Sequence, residues 1–204
     1  MKNILLFLII MISLVAASCV KDRIQPAAAP YIQPQGSVLM TYWDFNNQDS
    51  SKRAATYSVN TGAIFNYYCA YIDYTTGTKI NLQRTSDSGQ CLRVRNPSDS
   101  VIFHMPTTGY DSITVAFAEE SSSSGPSSNA IFYTVDGVHF ISTVLGNNSY
   151  AVTTSFQLYK FSFVADPNVK NNPKFAIKIV MLNNNTGTSG NDRIDNVSMS
   201  GVKD

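Results

Sequence analysis

The sequence predicts an all-β chain folded as an antiparallel β-sandwich. Three observations predict it. Only 14% of the 204 residues are charged, while Tyr and Phe occur 11 times each, and low charge with many aromatic and β-branched residues favours strands. Roughly nine short runs alternate apolar and polar residues, with Gly, Pro and Asn between them. After the N-terminal segment no stretch of a dozen residues keeps a 3.6-residue apolar period, so no long helix is expected there.

The chain opens with Met1, Lys2 and Asn3, a short positive start, then an apolar run from Ile4 to Val15 and the small residues Ala16, Ala17 and Ser18. Charge, core and small-residue end predict a secretory signal peptide over residues 1–18. The run falls short of the ~20 apolar residues that span a bilayer. Cys19 follows directly, and this arrangement resembles the lipobox of bacterial lipoproteins, with Ala16 where leucine is usual. The resemblance implies acylation of Cys19 and attachment to the bacterial outer membrane, because two or more acyl chains give lasting anchorage. Lys21 and Asp22 resemble the surface-export signal of some Gram-negative lipoproteins, which implies exposure at the cell surface. Residues 19–36 carry Pro26, Pro30 and Pro34 without periodicity and read as an extended tether.

Residues 37–204 are expected to form the sandwich domain. Val38 to Phe45 reads as a strand, with Leu39, Trp43 and Phe45 on one face. Residues 63–72 are expected to contain one strand with an irregular lead-in. Leu92 and Val94 alternate with Arg93 and Arg95. Val101, Phe103 and Met105 form the next series until Pro106 stops it. Ile113, Val115 and Phe117 follow, then a soft Ser-rich loop over residues 119–128. Ile131, Tyr133 and Val135 lead into Asp136-Gly137, the pattern of a two-residue type I′ hairpin turn. Tyr159, Phe161 and Phe163 share a face, as do Phe175, Ile177, Ile179 and Met181. Ile194 to Met199 closes the domain.

Four of these pieces, in order, resemble the jelly-roll domains of exported bacterial proteins, which are carbohydrate-binding-module-like or galactose-binding-like. They are Gln90-Cys91-Leu92-Arg93, Tyr110 to Phe117, Tyr133 to Gly137, and Arg193 to Val197. The resemblance implies jelly-roll topology with the first and last strands side by side, which would bring Asp44 near Asp195.

A net charge of +1 leaves no electrostatic footprint for nucleic acid. Glycoside hydrolysis needs two carboxyl groups facing one another, whereas the only glutamates, Glu119 and Glu120, are adjacent and point to opposite faces of a strand. No enzyme is expected. The lone histidines His104 and His139 fall short of a zinc site. No cofactor is required, although calcium needs only oxygen ligands. Asp44, Asp195 and Asn196 are its candidates, against the plainer reading that they cap turns. Arg93 and Arg95 on one strand face, with Tyr67 and Tyr71, are candidates for binding a ligand, since Tyr offers a flat ring and a hydroxyl. Cys69 and Cys91 are open to two readings, a disulfide worth ~3 kcal/mol or two separate buried thiols. The function expected is a non-catalytic recognition module for glycans. The alternative is a structural or adhesive protein with envelope protein partners.

Overall fold

In the computed structural model, alternating strands close into two facing antiparallel sheets. The structure describes residues 33–47, 49, 51–95, 100–184 and 190–204. The segments expected to be a signal peptide (1–18) and a tether, with Cys19, lie outside the described residues as far as residue 32. One sheet holds β1 (Val38–Trp43), β2 (Tyr57–Ser58), β4 (Tyr71–Thr76), β5 (Gln90–Arg95), β7 (Tyr110–Ser121), β10 (Gln157–Ser162) and β12 (Asn191–Lys203). Its spine runs β10-β7-β12-β1-β2, and β5 joins the free side of β12 with β4 beyond it. The second sheet runs β3-β6-β11-β8-β9, from β3 (Ile64–Tyr67), β6 (Ser100–His104), β11 (Ala176–Asn184), β8 (Pro126–Thr134) and β9 (Ser149–Ala151). This is a jelly-roll sandwich. Among the described residues the only helical piece is a 3-10 turn at Pro167–Val169.

The alternation explains the core. Val101 and Phe103 of β6, Ile113, Val115 and Phe117 of β7, and Ile177 and Ile179 of β11 all point between the sheets and are buried. Trp43 meets Phe103 edge-on at 5.2 Å, and Tyr133, Phe163 and Phe175 form a second aromatic group. Glu119 and Glu120 split as adjacent strand residues must. Glu119 turns inward and is fully buried, and Glu120 turns outward to pair with Arg193.

Several local expectations are corrected. A register shift between Leu39 and Thr41 breaks the period of β1, so Met40 joins Trp43 and Phe45 in the core instead of Leu39. The 63–72 segment holds two strands in different sheets, β3 and the start of β4. The Ser-rich loop shrinks to residues 122–125, because Ser121 and Ser122 donate their backbone N–H groups to Thr153 and Asn191 (2.8 and 3.0 Å). Pro126 then opens β8, a position where a strand tolerates proline. The chain does reverse at Asp136-Gly137, but not as a two-residue turn. Tyr133 and Ile141 exchange both backbone bonds (2.9 and 2.8 Å) across residues 134–140. Only Gly137 of the pair has positive φ, +82°. Asp136 instead spends its carboxylate on the N–H groups of Val138 and His139, both at 2.8 Å, which stabilises a wider loop.

Cys69 and Cys91 are not bridged to each other. Cys91 pairs with Thr75 in the β4–β5 ladder, whereas Cys69 precedes Tyr71 at its far end. The four residue steps from Tyr71 to Thr75 alone span on the order of 13 Å, well beyond the ~7 Å limit between bridged Cα atoms. Burial pushes the Cys91 thiol up to about 12.

Candidate functional site

The first and last strands do lie side by side, and the calcium candidates meet where their pairing is interrupted. β12 has β7 along one flank. Its other flank is shared, with β5 taking residues 191–194 and β1 residues 197–201. Asp195 and Asn196 fall at the hand-over, where Asn196 adopts φ +49°. Backbone groups at such a break need other partners, and the segment after β4 supplies them. Thr78 N donates to Asp195 Oδ2 at 2.7 Å, and Asn196 Nδ2 donates to the carbonyls of Thr78 and Ile80 at 2.9 and 3.0 Å. Asn81 Nδ2 donates to the Asn196 carbonyl at 2.6 Å, and the buried Tyr42 hydroxyl donates to Asn196 Oδ1. Gly77 permits the approach, since a Cβ there would lie 2.5 Å from Asp195 Oδ2.

Burial pushes the Asp195 carboxyl up to about 7, even though two N–H groups favour its charged form. Asp44, just past β1, accepts from Thr56 Oγ1 at 2.8 Å, Asn46 N at 3.2 Å and Ser86 Oγ at 3.1 Å. Calcium takes six to eight oxygen ligands. Here each carboxylate oxygen accepts a hydrogen bond from the chain, and these bonds form a knot that ties the 77–89 segment down. Among the described residues no three His, Cys, Asp or Glu side chains converge to hold a metal.

Of the four ligand-binding candidates, three lie together. Asp73 on β4, Arg93 on β5, Arg193 on β12 and Glu120 on β7 stand in register across the outer face of the larger sheet. Arg93 grips both oxygens of Asp73 at 2.7 and 2.6 Å, and Arg95 reaches one at 3.2 Å. The Arg93 guanidinium holds the Asp73 carboxyl below its usual range. Arg95 also covers Tyr71, which is 49% exposed. The four charges of this row, two arginines flanked by two carboxylates, cancel. Tyr67 belongs to the other sheet, half-buried against the core. His104 is half-buried beside Asn66, while His139 is exposed beside Asp136 on a separate loop.

The concave feature lies elsewhere, at the end of the sandwich where β1 runs into the 44–56 loop. A cleft of about 720 Å³ opens there between β1, β3 and β4, within the 300–1,000 Å³ typical of ligand sites. Trp43, Phe45 and Phe65 form its deep apolar wall, and half-buried Tyr74 forms part of its side. Asp44, Asn46, Ser51, Lys52, Arg53 and Thr56 supply the polar lining. Trp43 Nε1 donates to the Arg53 carbonyl at 3.2 Å, and Arg53 Nη1 donates to Asn66 Oδ1 at 2.9 Å, so the loop is pinned at both ends of that residue. Trp43, Phe45 and Phe65 are 1–5% exposed, so of these four rings Tyr74 is the one a ligand entering the cleft could reach, beside the hydrogen-bonding groups of the lining. This cleft is not visible in the sequence. Its walls come from three strands and a loop that only the fold brings together.

Neither protein-family models nor curated protein sequences match the chain. Solved structures do. The CBM22-1 xylan-binding domain of Xyn10C from Paenibacillus barcinonensis superposes with a TM-score of 0.51 at 9% identity, over 84% of this chain and 99% of that domain. The tandem CBM22-1-CBM22-2 domain of the same protein gives 0.52 at 9% identity, over 85% of this chain and 48% of the tandem. This chain therefore spans about half of the tandem. The likeness is one of fold.

Proposed function

We propose that this chain is a non-catalytic glycan-recognition module, held at the surface of the bacterial outer membrane by acylated Cys19. The observation that carries the recognition role is the aromatic-walled, polar-rimmed cleft around Trp43 and Tyr74. Its occurrence in a fold shared with a xylan-binding domain adds support. Glu119 and Asp192, the two carboxyls that do converge, are sealed between the sheets at 0% exposure, out of a substrate's reach.

Affinity electrophoresis of the full chain on xylan and on a panel of other polysaccharides tests the role. Retardation is expected, and Tyr74→Ala should weaken it about tenfold, the equivalent of ~1.4 kcal/mol. Silence across the panel overturns the reading. The anchor is tested separately by Cys19→Ser, which should move the protein from the detergent phase to the aqueous phase on partitioning. Unchanged partitioning removes the anchor. A second reading, an adhesive protein that contacts envelope proteins, is favoured by the sheet-edge strand β10 and its flank, where Leu158 and Val164 are 44% and 53% exposed. Stoichiometric recovery of an envelope protein without any polysaccharide binding would select it.

A further inference from the structure

The sealed carboxyl pair has a role of its own. Glu119 extends the inward row of β7, and Asp192 extends that of β12, in the larger sheet. Asn129 faces them from β8 in the smaller sheet. Its Nδ2 spends one hydrogen on Glu119 Oε1 at 2.8 Å and the other on Asp192 Oδ2 at 2.6 Å. One amide thus joins the two sheets through two carboxyl groups, all three residues being fully buried.

The two acids are not equivalent. Both Asp192 oxygens accept hydrogen bonds, Oδ1 taking the Arg193 backbone N–H at 2.9 Å. Glu119 Oε2 has no hydrogen-bond partner at normal geometry. Two adjacent buried carboxylates cannot both ionise cheaply, because burial and mutual repulsion each penalise the second charge. The neighbours do not relieve it. Tyr150 on β9 and Tyr159 on β10 bring neutral hydroxyls, and their own titration is pushed up by burial and by the acids. Glu120 adds negative charge from the opposite face, where Arg193 is engaged with it.

We infer that Glu119 is a neutral carboxylic acid in the folded protein at neutral pH, that Asp192 carries the pair's single charge, and that this one proton is a pH-sensitive tie between the two sheets. Glu119 Oε2, the oxygen that no donor of the chain reaches, is the one left to carry the proton. Burial and the Asp192 charge hold Glu119 well above the usual carboxyl range, and burial raises Asp192 to about 6.

The sign follows from proton counting. Above about pH 4 the unfolded chain has released protons that the folded pair still holds, so stability falls as pH rises through the folded values. Asp195, raised to about 7 on the other face, acts in the same direction, so a variant must separate the two. Glu119→Gln replaces the neutral acid by a neutral isostere. The wild-type Tm is expected to fall by several degrees between about pH 5.5 and 8.5. In Glu119→Gln that fall should shrink clearly. With Asp195→Asn as the common background, which removes the second acid that titrates near 7, the infrared carbonyl band of a protonated carboxylic acid at pH 7 should disappear on adding Glu119→Gln. Asp192→Asn on that background should keep the band, and it serves as the second variant. A band that persists in Glu119→Gln on that background, or an unchanged pH slope, overturns the proposal. So does a wild-type Tm restored at pH 8.5 by calcium, which would put a cation where the proton is assigned.

Discussion

Asn196→Ala is expected to cost the fold about 4 kcal/mol, measured by urea unfolding of the full chain. Three losses add up to it. Asn196 holds φ +49°, a left-handed conformation that costs an ordinary L-residue ~1–2 kcal/mol. Its Oδ1 is the acceptor for the Tyr42 hydroxyl, whose side chain is fully buried, and an orphaned buried hydroxyl costs ~1–3 kcal/mol. Its Nδ2 serves the carbonyls of Thr78 and Ile80, and each lost bond removes ~1 kcal/mol. Asn196→Gly separates the parts, since it restores the backbone freedom and should recover about 1 kcal/mol. Tyr42→Phe in the Asn196→Ala background should recover the share due to the orphaned hydroxyl, and the cycle gives the coupling. The 77–89 segment should also become sensitive to protease before global unfolding, because these bonds hold it to β12. A loss below about 1 kcal/mol would mean that the knot does not hold the segment.

This knot also marks the limit of what the sequence discloses. The period-two alternation located β6, β7 and β11 and named their inward residues, because β6 and β11 pair without a register shift and β7 keeps its alternation from Ile113 to Phe117 despite two shifts against β12. It failed in β1, where a bulge shifts the register and exchanges Leu39 for Met40. It could not show that Asn196 takes positive φ, since that conformation is set by Thr78, Ile80 and Asn81, more than a hundred residues away in sequence. Asp136-Gly137 misled for a related reason. The local pattern favours a tight turn, but the Asp136 carboxylate finds the N–H groups of Val138 and His139 and supports a wider loop. The proximity of Asp44 to the Asp195 region came from resemblance to jelly-roll domains and not from the residues' own chemistry. Arg93 and Arg95 were legible as a pair on one strand face, whereas that Tyr71 joins them and Tyr67 does not was set by the fold. Asp73, which pairs with both arginines, was not legible, because nothing in sequence aligns β4 with β5. Glu119 was read correctly as opposite to Glu120, yet its partner Asp192 lies 73 positions further on and enters only through β7–β12 pairing.

Trp43→Ala is expected to remove about 3–5 kcal/mol, the range for deleting a large buried aromatic. Trp43 is 2% exposed, packs edge-on to Phe103 at 5.2 Å and pairs with Val197 across the β1–β12 ladder. Far-UV circular dichroism must follow the unfolding, because Trp43 is the chain's only tryptophan and the substitution removes the fluorophore. Trp43→Phe divides structure from recognition. It keeps a ring in the core but loses the indole N–H that holds the Arg53 carbonyl at 3.2 Å, at a cost of ~1 kcal/mol for that bond. The 44–56 loop then loses one of its ties to the deep wall of the cleft and keeps the Phe65 N–H on the same Arg53 carbonyl at 3.0 Å. If ligand enters there, Trp43→Phe should bind polysaccharide less tightly than its modest loss of stability would require. In the unaltered protein, the emission of this single buried indole should shift when polysaccharide binds, in the same titration that measures affinity. Binding that is fully retained in Trp43→Phe, with wild-type emission unmoved by ligand, would place recognition on another face of the sandwich and leave the cleft a purely structural seam.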